Sequence, residues 1–211
     1  MDRLQEQLNF IIEIDKLKHV LRRNYLADGS RRENDTEHSW HLAVMAVLLR
    51  EYSADKELDL LRALKMILVH DLVEIHAGDT FIYDAQGATD QAEREKAAAD
   101  ELFALLPEDQ AKELRSLWDD FEDRSSSEAR FVRAIDRLQP IMLNCASRGR
   151  AWLEHQVTCE MAIELNPPII ARGAPRLADV ARELLLDARE QGFFHETPAI
   201  DHCAAVENEG G

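Results

Sequence analysis

The feature that most constrains this chain is an apolar helix that runs straight into charge. Residues 57–69 read ELDLLRALKMILV, rich in Leu, Met, Ala and Ile and free of Gly and Pro, which is the pattern of a buried helix. His70 and Asp71 follow at once, then Glu74, Gly78 and Asp79. Ionised carboxylates at the end of a core helix are costly unless a cation or strong hydrogen bonds offset them. Helix periodicity stacks His70 over Glu74 and makes Asp71 and Glu74 neighbours. Gly78 then lets the chain turn so that Asp79 comes back towards them. An adjacent imidazole and carboxylate are ordinary ligands of one divalent cation. Taken alone, the stretch fits a solvated acidic helix end equally well.

The remainder reads as helices. Residues 3–22 place Leu4, Leu8, Ile11, Ile14, Leu17 and Leu21 at helical spacing, an amphipathic helix. A basic cluster follows: Lys16, Lys18, Arg22 and Arg23, then Arg31 and Arg32 after a turn at residues 27–30. Cations meeting a helix C-terminus account for Lys18 and Arg22 but not for Arg31 and Arg32. In so acidic a chain, phosphate binding by at least one of these arginines is the expectation.

Asp35 or Thr36 caps a helix that runs to about Tyr52. His38 shares its apolar face with Leu42, Met45 and Leu49, and a lone inward His is more often a satisfied core residue than a ligand. His41, further along, is read as structural. Residues 80–92 form a loop, and helices follow at 93–106 and 108–121. The next helix starts at Ser125–Glu128, and Asp136 lies on or beside its buried stripe. Pro140 removes the amide that would bond the Asp136 carbonyl, so a kink is expected there. Asp136 is therefore either a ligand or a boundary residue paired with Arg133 or Arg137. Two more helices, about 151–165 and 175–191, are separated by Asn166-Pro167-Pro168 and Gly173, and residues 204–211 read as a frayed tail. The fold class is all-α, one helical bundle over residues 1–203, with no strand-like alternation.

Charge and cysteine usage limit the partners. With 25 basic and 41 acidic residues in 211, the net charge is −16. That surface repels nucleic-acid polymers and anionic membranes, while a small phosphorylated ligand stays possible where a metal and a few Arg reverse the field. Cys145, Cys159 and Cys203 are odd in number and lack CxxC spacing, which reads as reduced thiols in a cytoplasmic protein. Charges throughout the first twenty residues interrupt the unbroken apolar core a signal peptide carries, so none is expected, and no apolar run reaches membrane-spanning length.

In order, the candidates are His38, then His70-Asp71, then Asp136, each on a separate expected helix. With Arg31-Arg32-Glu33-Asn34-Asp35-Thr36-Glu37-His38-Ser39, His70 to Glu74, Gly78-Asp79, and residues 132–136 before Pro140, this arrangement resembles the HD-domain metal-dependent phosphohydrolases. More narrowly it is similar to the bacterial 5'-deoxynucleotidase and its close HD-domain relatives, over roughly residues 4–150. The resemblance implies His38, His70, Asp71 and Asp136 as ligands of one divalent metal ion per chain. Mn, Co, Fe, Ni and Zn suit mixed nitrogen and oxygen ligation. It also implies Glu74 and Asp79 as acid–base and water-orienting carboxylates, and Arg22 on the substrate phosphate; Arg23 and Arg32, from the basic cluster, are further candidate substrate contacts. Arg23 stands where the deoxynucleotidase has a pocket Trp, and the loop to Glu33 is one residue longer here. The implied activity is release of phosphate from a nucleoside 5'-monophosphate or similar small phosphomonoester, by a homodimer. A di-iron HD-type oxygenase and a non-catalytic nucleotide binder are the alternatives. The first would need extra histidines between the His-Asp pair and Asp136, where only His76 lies.

Overall fold

The computed structural model describes residues 2–84 and 87–196. Helix α1 (Arg3–Glu13) stops short of the expected length, and a 3-10 turn covers Ile14–His19. The chain then forms an antiparallel pair, β1 (Leu21–Tyr25) and β2 (Arg32–Asn34), turning through Gly29 at φ 70°. This hairpin corrects the expectation of helix through Arg22. Its ends pair Leu21 with Asn34 and Tyr25 with Arg32, so three residues of β1 (Arg22, Arg23, Asn24) stand opposite one of β2 (Glu33). Such a bulge re-aims side chains and erases the period-two pattern that marks a strand.

Asn34 caps α2 (Asp35–Leu49), not Asp35 or Thr36: its side chain accepts from the Glu37 amide and the Glu37 carboxylate accepts from the Asn34 amide. Helix α3 (Leu60–Val69) begins at an Asp59 cap and ends at Val69. His70 and Asp71 lie just beyond its last turn, where Leu72 N–H bonds the Val69 carbonyl and Glu74 N–H the Asp71 carbonyl. The short α4 (Glu74–Ala77) restarts the helix. His70 and Glu74 thus do not share one continuous helix, as periodicity suggested. Gly78 makes the expected turn at φ 77°.

Helices α5 (Gln91–Phe103) and α6 (Glu108–Asp123) precede α7 (Ser127–Ala146), which starts at a Ser126 cap and carries Pro140 internally. Next come α8 (Arg150–Glu154), α9 (Cys159–Gly173) and α10 (Pro175–Glu190). Helix α9 runs through Pro167 and Pro168, where a break was expected. Packing between α7 and α10 holds it, and the Asn166 amide donates to the Ala162 carbonyl.

One core joins α2, α3, α7, α9 and α10, with Leu42, Met66, Ile67, Phe131, Ile135 and Ile170 fully enclosed. A second joins Phe10 and Leu17 to Val69, Leu72 and Val73 and to α5 and α6. His70 and Asp71 sit where the two meet. No helix among the described residues is long and apolar enough to cross a membrane. The expected tail at 204–211 lies outside the described residues.

Candidate metal centre

The fold brings together side chains that are far apart in sequence. His38, on the first turn of α2, is fully buried, and its Nε2 lies 3.2 Å from Asp136 Oδ1 on α7 and 3.8 Å from Asp71 Oδ2. His70 Nε2 is 3.1 Å from Asp71 Oδ1. One ligand atom each from His38, His70 and Asp71 lies within 4.8 Å of the others. Asp136 is buried rather than solvent-facing, so the four sequence candidates converge.

Both imidazoles are oriented by their far nitrogens. His70 Nδ1 donates to the Ile67 carbonyl at 2.7 Å, which leaves its Nε2 lone pair pointing at Asp71. That Nε2 is buried and has no hydrogen-bond partner. His38 Nδ1 lies 3.3 Å from Gln139 Oε1, and Gln139 Nε2 donates to Glu33 Oε1 at 2.8 Å. With the proton assigned to Nδ1, His38 Nε2 and Asp136 Oδ1 face each other as two acceptors, an arrangement that a cation between them stabilises. The residues present therefore fit a divalent ion.

The electrostatics point the same way. Burial, with Arg22 nearby, pushes the His38 pKa down to about 4, so the ring is neutral and able to ligate. Burial disfavours the charged Asp71 carboxylate, but His70 and then Arg22 hold its pKa well below the ordinary value. Burial likewise opposes the Asp136 charge, but neighbouring His38, Arg137 and Arg133 hold its pKa well below the ordinary value. Burial also lowers the His70 pKa, yet Asp71 more than compensates and lifts it. The position beside His70 Nε2 favours positive charge.

Glu74 and Asp79 border this centre. Burial and the neighbouring Asp71 and Asp35 raise the Glu74 pKa well above the ordinary value, and its Oε2 is buried without a partner. Burial also raises Asp79, with Arg22 opposing. Arg22, aimed inward from the β1 bulge, donates to Asp35 Oδ1 at 3.1 Å and to Asp71 Oδ2 at 3.0 Å. Beside these residues opens a cavity of about 330 Å³ lined by Arg22, Arg23, Asp79 and Asp136, with Phe81, Tyr83 and Trp152 among its apolar walls. Arg32 does not line it. That side chain pairs with Glu154 at 2.6 Å and lies over the Tyr25 ring. His76 is held between Glu13 and Glu101, at 3.1 and 3.3 Å.

Four contributors are not assigned by the sequence reading. Asp35, there a capping candidate, is fully buried against Arg22, and its carboxylate oxygen lies within 4.8 Å of those of Asp71 and Glu74. Gln139 and Glu33 form the relay behind His38. Arg137, there only a possible partner of Asp136, lines the cavity.

Residues 14–178 match the family model described as HD domain. Among curated proteins, 5'-deoxynucleotidase HDDC2 of Homo sapiens is 33% identical over 136 residues, 64% of this chain and 65% of that protein. 5'-deoxynucleotidase hdd1 of Schizosaccharomyces pombe is 28% identical over 137 residues, 63% and 67% of the two chains. The chain thus spans just under two thirds of the length of the first of these relatives. A crystal structure of a "predicted metal-dependent phosphohydrolase" from Magnetospirillum magnetotacticum MS-1 superposes with a TM-score of 0.87 at 48% identity, covering 92% of this chain and 96% of that one. A conserved hypothetical protein from Pyrococcus furiosus, at 24% identity and a TM-score of 0.62 over 87% and 99% of the chains, shares the fold.

Proposed function

The chain belongs to the HD-domain family, and from that premise we propose that it is a metal-dependent phosphohydrolase. Its substrate in this reading is a nucleoside 5'-monophosphate or a similar small phosphomonoester. The observation that carries the reading is the convergence of His38, His70 and Asp71 within 4.8 Å, closed by Asp136 against His38. These four residues would hold one divalent ion per chain. When bound, the ion supplies Lewis-acid polarisation of the phosphoryl group and acidification of water. That His76 is committed to Glu13 and Glu101 supports a single ion over a histidine-rich pair.

The chain's own residues do the rest. Arg22 presents a guanidinium held on one edge by Asp35 and Asp71, and charge-assisted hydrogen bonds from it stabilise charge spreading over the phosphoryl oxygens. Glu74, whose pKa burial and the neighbouring Asp71 and Asp35 raise, takes a proton from the attacking water or gives one to the leaving oxygen. Asp79 orients water from the turn after Gly78. Phe81, Tyr83 and Trp152 give a nucleobase or other planar group an apolar wall. Arg23, where the deoxynucleotidase resembled here has a pocket Trp, contacts the sugar side of the substrate.

A second copy of the chain completes the assembly in this reading. Trp40, Val44, Val47 and Leu48 form one exposed stripe along α2, beside Leu61 and Leu68 on the adjacent α3. An apolar stripe of this extent on a soluble protein marks an association surface.

The test is a phosphate-release screen of nucleoside monophosphates and other phosphomonoesters, with Mn, Co, Ni, Fe and Zn supplied in turn. Release that chelation abolishes supports the reading. No release from any substrate with any ion overturns it.

A further inference from the structure

Five arginines line the cavity, Arg22, Arg23, Arg124, Arg133 and Arg137, beside the four carboxylates Asp71, Glu74, Asp79 and Asp136. Arg22 already serves the reacting phosphoryl group in the reading above, on which this inference rests. Three further arginines, Arg124, Arg133 and Arg137, line both the main cavity and an adjoining one of about 250 Å³ that excludes Arg22 and Arg23. They therefore stand where the two lobes join, together with Asp71 and Glu74, on the lobe that Arg22 and Arg23 do not line.

None of the three is fully matched by the protein. Arg137 is deeply buried, its Nε has no hydrogen-bond partner, and its one neighbouring carboxylate, Asp136, is 3.8 Å away and assigned to the ion. Arg133 rests on the Phe121 ring at 4.2 Å and reaches Glu122 at 3.4 Å and Asp136 at 3.6 Å, and its Nε is also buried without a partner. The Arg124 side chain makes no hydrogen bond or ion pair among the described residues, and its backbone takes the left-handed conformation at φ 56° as the cap of α6. For Arg133 and Arg137, 12% and 19% exposed, an under-paired guanidinium is costly unless a partner completes it, whereas the exposed Arg124 adds only its charge.

We propose that Arg137, flanked by Arg133 and Arg124, is a second anion subsite, and that the preferred substrate is a phosphomonoester bearing a further anionic group on the part retained after hydrolysis. A second phosphate or a carboxylate satisfies this chemistry. A site built around a buried charged donor discriminates against an analogue lacking the matching group, because the donor is then left unpaired.

Two matched pairs test the subsite on the metal-loaded protein: a nucleoside 5'-monophosphate against the 3',5'-bisphosphate of the same nucleoside, and glycerol 3-phosphate against 3-phosphoglycerate. The expected result is kcat/KM about tenfold or more higher for the doubly anionic member of at least one pair, mainly through KM, the size of one charged hydrogen bond. Preference in the first pair identifies phosphate as the second group, and preference in the other identifies carboxylate. Arg137→Gln should collapse the ratio towards one, and Arg137→Lys should keep part of it. Calorimetric binding of pyrophosphate against inorganic phosphate gives a readout free of turnover: pyrophosphate should bind about tenfold tighter or more to the native protein, and Arg137→Gln should lose that margin. Equal kcat/KM within both pairs, with phosphate released, overturns the subsite and leaves the phosphohydrolase standing. If no ester is hydrolysed the hydrolase reading fails, and equal binding of the two inorganic anions then rejects the subsite as well.

Discussion

His38 Nε2 and Asp136 Oδ1 stand 3.2 Å apart after a sequence separation of 98 residues. The contact exists because α2 and α7 pack in one core, which includes Leu42, one turn after His38, and Val132 and Ile135, which precede Asp136 on α7. Whatever the centre binds is thus tied to the packing of the bundle.

Replacing Asp136 with Asn keeps its shape and removes its charge. Metal affinity and kcat/KM should each fall by about 100-fold or more, since losing even an outer partner of a ligand costs about 10–100-fold. Elemental analysis after gel filtration, together with phosphate release, checks this. Full metal occupancy in Asp136→Asn would remove Asp136 from the ligand set.

Glu74→Gln tests proton transfer separately from metal binding. Metal content should stay near the native value while kcat drops by about 10²–10⁴-fold, the range for a general acid or base. A variant within a few-fold of native kcat would assign the proton to another group.

Glu33, 2% exposed behind His38, gives a pH signature in the metal-free protein. Burial pushes its pKa from 4.5 up to about 7, against the pull of Arg22. The folded state therefore holds this proton more tightly than the unfolded chain does. The contribution is full below about pH 4.5 and is lost as pH rises through about 7, a difference of about 3 kcal/mol. Glu33→Gln, which cannot ionise, should be the more stable protein at pH 8 by up to that amount, with the gap closing at pH 5. Urea unfolding at the two pH values measures it, and a pH-independent gap would contradict the buried-acid account.

The α2 stripe gives a prediction about assembly. Leu48→Glu, at a side chain 67% exposed, should weaken self-association by about tenfold or more without changing the helix content. Sedimentation equilibrium reads the first and far-UV circular dichroism the second. A native protein that sediments as a monomer would refute the second-copy reading.

Much of this centre was legible in the chain, unevenly and for physical reasons. Asp71 and Asp136 were visible because a carboxylate beside an apolar stripe is costly unless something answers it. His38 was not visible on its own, since an inward imidazole has a bland explanation, and only its place in a longer motif changed that. The turn at Gly78 was readable, because a positive φ favours glycine. The hairpin was hidden: a bulge opposing Arg22, Arg23 and Asn24 to Glu33 leaves no alternation to detect. The break after Val69 was hidden too, because residues 70–73 keep a helix-like composition while the backbone tightens. Arg137 could be read only as a partner for its neighbour Asp136, since nothing local in sequence reports the cavity that opens beside α7.

Gly173, at the end of α9, lies so close to α7 that a β-carbon there would fall on the Arg130 carbonyl. Leu165, Asn166 and Ile169 on α9 face the cavity from the same helix, with Ile141 and Asn144 of α7 opposite. The missing methyl at one residue therefore sets how closely α9 approaches α7 at Arg130. A relative with Ala or Ser at this position must carry α9 further from α7, and the chamber between the two helices should be wider there than in this chain.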